Sequence, residues 1–282
     1  MNPLHQSAIK SAEKVRLKLG VNMFSPINIY DTCEALNVTV RIVPINMEGL
    51  YVQSDKKNNS TILLSNERPI PRRVFTCAHE LGHHTYSHGS KIDALTHTNQ
   101  YTPEQDEEEL LVNSFAGYLL MPIAGVFSEF RKRRWNPQYS TPEQFYAISS
   151  TFGVGYNTLV YHCRANNIIN FSKATELLKY SPKKIFVKEF SKELDTAHYK
   201  YFPLGFLPPI IEIALSDYII FNGSVKINNK YLILVEQSEK FSIYSAQAVG
   251  ISELYSTTTK KSSILKIEPV DFSGIANYRH IE

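Results

Sequence analysis

The sequence is poor in the features that mark several protein classes. It holds 3 cysteines among 282 residues, and Cys33, Cys77 and Cys163 are far apart with no C-x-x-C pair, so they can build neither a disulfide scaffold nor a cysteine-rich metal module. They read as buried thiols of a reducing compartment. Charge of neither sign dominates: 30 Lys and Arg against 27 Asp and Glu give a formal net charge of +3. That balance gives no ground, on composition alone, for nucleic-acid or membrane-surface binding. No basic segment followed by an apolar core opens the chain, and no apolar run approaches the roughly 20 residues that cross a bilayer. A cytoplasmic protein without a membrane partner is expected. Internal repeats and low-complexity tracts are also missing.

What is present is a hydrophobic content of 43% over 282 residues, enough for a sizeable core and more than one domain usually needs. From about Gln6 to Leu19, Ala8, Ile9, Ala12, Val15 and Leu19 recur at helical steps, and a short helix through Ile29, Cys33 and Leu36 follows Pro26. The period then changes. Val38, Val40 and Ile42 alternate with polar neighbours, and Thr61-Ile-Leu-Leu forms a second β-type run beyond a polar turn at 55–60. Arg73 to about Ser87 reads as a helix apolar on several sides, hence buried. After a polar stretch from His88 to Thr102, a second helix runs from near Pro103 to about Met121, its first turns acidic and its end marked by Pro122.

Further on, Ser140-Thr-Pro-Glu143 has the form of a capping box. It opens a helix through Phe145 and Ile148, and a Gly153-Val-Gly155 turn leads to another helix through Leu159 and Cys163. The outline is helix-turn-helix. Beyond a Lys-rich linker come short β-type runs, Tyr218-Ile-Ile-Phe, Tyr231-Leu-Ile-Leu-Val and Ile264-Leu-Lys-Ile, with Asn222-Gly223 as a hairpin signal between two of them.

The chemistry is concentrated in His79-Glu80-Leu81-Gly82-His83, an H-E-x-x-H motif inside the buried helix. Residues four apart on a helix lie one above the other, so both imidazoles can bind one ion. Glu80, rotated about 100° from His79, can reach a metal-held water as general base without being a ligand. Catalytic zinc needs a third protein ligand and an open position. Candidates are His84, His88, Asp93, His97, Glu104 and the run Asp106 to Glu109. A metzincin would require histidine six past His83 and glycine in place of Tyr86, so that pattern is excluded. Glu109 is preferred because it opens the helix face bearing Asn113, Ala116, Gly117 and Leu120, whose small residues, facing Ala78 and Gly82, would let two helices approach. Asn113, one turn on, can bond the outer nitrogen of a ligand histidine. His84, His88 and His97 are expected at the surface or in loops.

Arg73-Val-Phe-Thr-Cys-Ala-His-Glu-Leu-Gly-His-His and Glu109-Leu-Leu-Val-Asn-Ser-Phe-Ala-Gly-Tyr-Leu-Leu-Met-Pro122 closely resemble the ImmA/IrrE metallopeptidases. The Gly49-Leu-Tyr turn, the Ile62 to Asn66 strand and the segment from Phe145 to Gly155 are similar to that family too. The resemblance covers about Ser7 to Asn170, and Val112 departs from it, since the family more often has alanine there. It implies a gluzincin-like α+β fold with one Zn2+ on His79, His83 and Glu109. The substrate it implies is an XRE-type helix-turn-helix repressor of a phage, mobile element or stress regulon. The expected organisation is a zincin-like domain at 1–135 with a small antiparallel sheet, a helix-turn-helix-like extension at 136–172, a linker at 173–202 and a β-rich domain at 203–282 as sensor or recognition module. Thr61 to Ser65 is expected as the edge strand that aligns substrate. The alternative is a DNA- or repressor-binding regulator, or toxin-antitoxin component, that does not cut. It draws on the helix-turn-helix outline and Arg131-Lys-Arg-Arg134, which are otherwise two buttressing helices and a solvated loop, so direct nucleic-acid binding is not expected.

Overall fold

The computed structural model describes residues 3–53, 60–93, 103–191, 193 and 198–281. The chain divides into two compact units, one of residues 1–122 with 271–279 and one of residues 123–270 with 280–282.

In the first unit the elements run α1 (Pro3–Lys18), α2 (Ile29–Ala35), β1 (Val38–Val43), β2 (Gly49–Val52), β3 (Ser60–Ser65), α3 (Ile70–Tyr86), β4 (Lys91–Asp93) and α4 (Pro103–Leu120). Helix α1 buries Ala8, Ala12 and Val15. Its Arg16 is buried too, and the guanidinium donates to the Leu119 carbonyl near the end of α4 and to the Asn22 carbonyl. The Leu119 carbonyl, in the last turn of α4, has no acceptor role left within the helix and would otherwise be left without a partner. Burial draws the Arg16 pKa down to about 10. Helix α2 starts where the Asn28 side chain accepts from the backbone of Tyr30 and Asp31.

Helix α3 begins three residues before the expected Arg73, because Pro71 falls in its first turn, where a missing N–H costs nothing. The Gly49-Leu-Tyr segment, expected as a turn, is strand β2, paired antiparallel with β3 through Leu50↔Leu63 and Tyr51↔Ile62. The polar turn expected at 55–60 lies, but for Ser60, outside the described residues. The stretch from Glu107 to Lys132 is by length and composition able to cross a membrane, contrary to expectation, yet 61% of its most apolar window is buried and Pro122 divides it.

The second unit holds α5 (Ile123–Lys132), α6 (Pro142–Phe152), α7 (Tyr156–Ala165), α8 (Phe171–Leu177) and α9 (Pro182–Phe190), then β5 (Tyr199–Pro203), β6 (Ile210–Ala214), β7 (Tyr218–Asn222), β8 (Val225–Lys226), β9 (Leu232–Gln237), β10 (Ser242–Ala246), β11 (Gly250–Ser256) and β12 (Lys261–Glu268). Thr141, one residue later than expected, is the N-cap of α6, and its N–H donates to Gln144 Oε1 at 3.1 Å. The stretch 173–202, expected as a linker, carries most of α8 and all of α9. Ser181 caps α9, Pro182 opens it, and Ile185, Phe186 and Phe190 are buried. Helices α6 and α7 belong to this unit. Tyr146 of α6 stacks on Tyr199 of β5 at 4.3 Å between ring centroids and its hydroxyl donates to the Tyr199 carbonyl. Nor is Arg133 of the basic run solvated: it is buried beside Glu129, with Nη1 2.6 Å from Oε2.

Two 4-stranded sheets, β5-β7-β10-β9 and β6-β12-β11-β8, share one apolar cluster that includes Phe202, Phe221 and Leu232 from the first and Ile211, Leu254 and Ile267 from the second. The expected hairpin at Asn222-Gly223 does not form. Strand β7 pairs with β5 and β10, β8 pairs with β11 in the other sheet, and Gly223 at φ 121° lets the chain cross between sheets.

Past β12 the chain returns to the first unit as β13 (Gly274–Ile275), antiparallel to β1 through Arg41↔Ile275. Arg279 lies 4.1 Å over the Tyr30 ring of α2. The first unit's sheet is thus 5-stranded in the order β13-β1-β3-β2-β4. It is mixed rather than purely antiparallel, since β1 and β3 run parallel. Strand β3 lies inside it, so Thr61 to Ser65 is not an edge, and its backbone is already paired on both sides.

Candidate metal centre

Helix α3 is buried continuously from Thr76 to His83, so its polar groups are held away from water by their neighbours. Close approach of α4 makes this possible. A Cβ added at Gly82 would stand 2.9 Å from Val112 Cβ and 3.2 Å from Phe115 Cδ1. At Gly82 the facing residues are therefore Val112 and Phe115 rather than the small side chains anticipated, and it is the glycine that admits them.

Across this contact three groups meet. His79 Nε2 and His83 Nε2 are 3.2 Å apart, and the Glu109 carboxylate lies 3.2 Å from the first and 3.4 Å from the second. Each ring also has a partner on its outer nitrogen. His79 Nδ1 is 3.1 Å from Asn113 Oδ1, and His83 Nδ1 is 3.1 Å from His88 Nδ1. Both Nε2 atoms and the carboxylate oxygens are directed at one another, an arrangement that a cation between them would satisfy. Zinc–nitrogen and zinc–oxygen bonds of about 2.0–2.1 Å at tetrahedral angles separate ligand atoms by roughly 3.3 Å. The spacings match. Among the described residues this trio is the group of His, Cys, Asp and Glu able to hold a metal ion, its ligand atoms all within 4.8 Å of one another.

Glu80 is fully buried and stands against strand β2. A Cβ on Gly49 would come within 3.1 Å of Glu80 Oε1 and 2.6 Å of Thr76 Cγ2. Glycine at this position leaves room for the carboxylate. Of the other third-ligand candidates, His84 is engaged elsewhere, its Nδ1 2.8 Å from the Tyr51 hydroxyl, and burial, with Lys18 nearby, draws its pKa down. Glu107 is exposed. The side chains of Asp93, His97, Glu104 and Asp106 lie outside the described residues.

His84 and His88 are expected at the surface or in loops: His88 does lie in the loop after α3, His84 sits on the helix, and both are half-buried and bonded within the site's surroundings. Gly49 and Tyr51 are not among the contributors expected from the sequence, whereas Gly82 is. The signal for Gly49 and Gly82 is a glycine inside an otherwise regular element, which often marks close approach of another group. His88 had no comparable mark, because the turn that folds it back is made by a serine.

No curated protein matches this chain. Among solved structures, a Mycobacterium tuberculosis transcriptional regulator aligns at 15% identity and a TM-score of 0.35, covering 55% of this chain and 46% of that one. The chain thus spans about half the length of that protein. A family model described as the IrrE N-terminal-like domain of a peptidase family matches residues 33–164, a span that contains the motif helix, Glu109 and Asn113. Over that span the chain is similar to the ImmA/IrrE peptidase family.

Proposed function

We propose that this chain is a cytoplasmic zinc endopeptidase that cuts a helix-turn-helix repressor. The observation that carries the reading is the meeting of His79, His83 and Glu109 at tetrahedral ligand spacing, on a helix that also carries the buried Glu80. His79 and His83 would hold zinc through Nε2 and Glu109 through its carboxylate. The bound ion would supply Lewis acidity, lowering the pKa of a water to about 7 and polarising the scissile carbonyl. Glu80 accepts the proton of the attacking water on its carboxylate and returns it to the leaving amine. Asn113 holds the His79 ring with Nδ1 as donor, which keeps the Nε2 lone pair toward the ion.

Substrate pairing by main chain, first placed on Thr61 to Ser65, needs a terminal strand of the sheet. Strand β4 meets that need. It pairs with β2 through Gly49↔Asp93, and Gly49 is the residue that backs Glu80. Buried, free thiols at all three cysteines are consistent with a reducing compartment.

The test is to incubate the purified chain and zinc with the repressor encoded beside it, and to follow fragments with and without chelator. A fragment that disappears with chelator and returns with added zinc is expected. Stable binding of the repressor without any fragment would instead support the non-cutting regulator.

A further inference from the structure

Helix α3 stops in a way that brings a further histidine to the metal centre. Ser87 takes the left-handed conformation, φ 58° and ψ 40°. Its N–H donates to the His84 carbonyl at 3.2 Å, and the next N–H, of His88, donates to the His83 carbonyl at 3.1 Å. These are the paired bonds of a Schellman stop, a motif that also brings together the side chains of its first and sixth residues, usually as an apolar contact. Here those residues are His83 and His88. Their ring centroids are 5.3 Å apart and their Nδ1 atoms 3.1 Å apart. The His88 ring is supported in turn by Tyr86, stacked at 5.6 Å and 18°, which itself meets Phe115 of α4 edge to face.

Two nitrogens at that distance share one proton. With Nε2 of His83 committed to a metal ion, its proton would sit on Nδ1 and be donated to Nδ1 of His88, which would then be protonated on Nε2. We propose that His88 is a positioning residue for the metal centre, holding His83 in the tautomer that offers the Nε2 lone pair, as Asn113 does for His79. The inference rests on the metal reading of His79, His83 and Glu109, and adds how the second ligand is oriented. The helix's own termination supplies the acceptor, so the ring is set by the backbone geometry of the stop.

The experiment measures zinc affinity of the full-length chain by competition with a chromophoric chelator, together with the visible spectrum of the cobalt-loaded protein. His88→Ala should weaken zinc binding about 10- to 100-fold and change the cobalt bands. His88→Asn places an acceptor oxygen near the former Nδ1 and should recover most of the affinity. His88→Phe keeps a ring against Tyr86 but accepts no hydrogen bond, and should not. Recovery by Phe and not by Asn would reduce His88 to packing, and unchanged affinity in His88→Ala would overturn the proposal while leaving the metal reading intact. Failure of the unmodified chain to bind zinc would remove the metal reading and this inference with it.

Discussion

The two units bury charge in opposite ways. In the first, His79, Glu80 and His83 are buried within five consecutive residues of one helix, and the two imidazoles turn their Nε2 atoms to a shared carboxylate. In the second, the buried Glu129 and Arg133 are paired off locally. Glu129 accepts from both Lys132 and Arg133 at 2.6 Å, and the Arg133 guanidinium also reaches the Phe206 carbonyl at 3.3 Å and lies 5.0 Å over the Phe206 ring. Burying a charge costs free energy in either case. A scaffold offsets that cost within its own pairs, whereas a site leaves donors directed at something the chain does not itself provide. Convergence, more than burial, is what separates a candidate centre from a structural ion pair.

The contrast can be broken most severely at Glu80. Glu80→Gln keeps the volume and removes the base, so cleavage should fall by about 10²- to 10⁴-fold while one zinc is still bound. Cleavage at the unmodified rate, with metal retained, would leave the convergence without its chemical meaning. In the second unit Glu129→Ala strips the buried Arg133 of its carboxylate and should cost about 3–5 kcal/mol. Trp135, the single tryptophan, sits beside that pair and reports the loss as a shift of the denaturant midpoint. Zinc affinity is expected to stay unchanged. A fall in zinc affinity at native denaturant concentrations would mean that the pair serves the centre as well.

Much of the centre was legible because it is a helix-scale pattern. His79, Glu80 and His83 lie on one helix, Glu109 and Asn113 are one turn apart on the next, and period alone assigns such residues to faces. Sheet neighbours are set by tertiary pairing, which period does not report. Thr61 to Ser65 shows the alternation of any half-buried strand, yet it lies between β1 and β2. Asn222-Gly223 is a sound turn signal, but the chain uses that turn to change sheets. The stretch 173–202 read as a linker through its lysines, while Phe186 and Phe190, four apart on α9, are what dock it against Tyr199. His88 was hidden for a different reason: the end of the helix near Ser87 was legible, but Ser87 occupies a left-handed position usually signalled by glycine, so the turn that folds His88 back onto His83 carried no mark.

A smaller effect sharpens the picture of how the first unit brings its ligands together. Gly82→Ala would set a methyl 2.9 Å from Val112 Cβ. Overpacking of this kind costs about 1–3 kcal/mol, against about 1 kcal/mol that alanine returns as the better helix former. A net loss of about 1 kcal/mol is expected in thermal unfolding of the zinc-free chain. Val112→Ala in the same chain removes Val112 Cγ1, the neighbour at 3.1 Å, while keeping its Cβ, and should recover part of the loss. Equal losses with and without Val112→Ala would show that the glycine answers to the backbone and not to the approach of α4.

The smallest effect concerns the buried Lys200 on β5. It is 8% exposed. Burial lowers its pKa below the usual lysine value, with Glu212 and Asp217 pulling partly the other way. Asp217 is largely committed to the backbone, accepting from His198 and Ala214 at 2.9 Å each. Between the lowered pKa and 10.5 the unfolded chain binds more protons than the folded one at this residue, so its contribution to stability rises with pH through that window. Below the window both states are protonated and the full cost of the buried ammonium remains. Tyr146, Tyr199 and Tyr201 act in the reverse sense, because burial raises their pKa values, to about 12 for Tyr201, and their contribution falls above pH 10. The informative quantity is therefore the difference between the unmodified chain and Lys200→Met. Lys200→Met should be the more stable of the two at neutral pH, and its advantage should shrink as pH rises toward 10.5. A difference that is flat in pH would mean that the ammonium keeps enough water to escape the cost of burial, and that this cation, unlike Arg133, needs no partner.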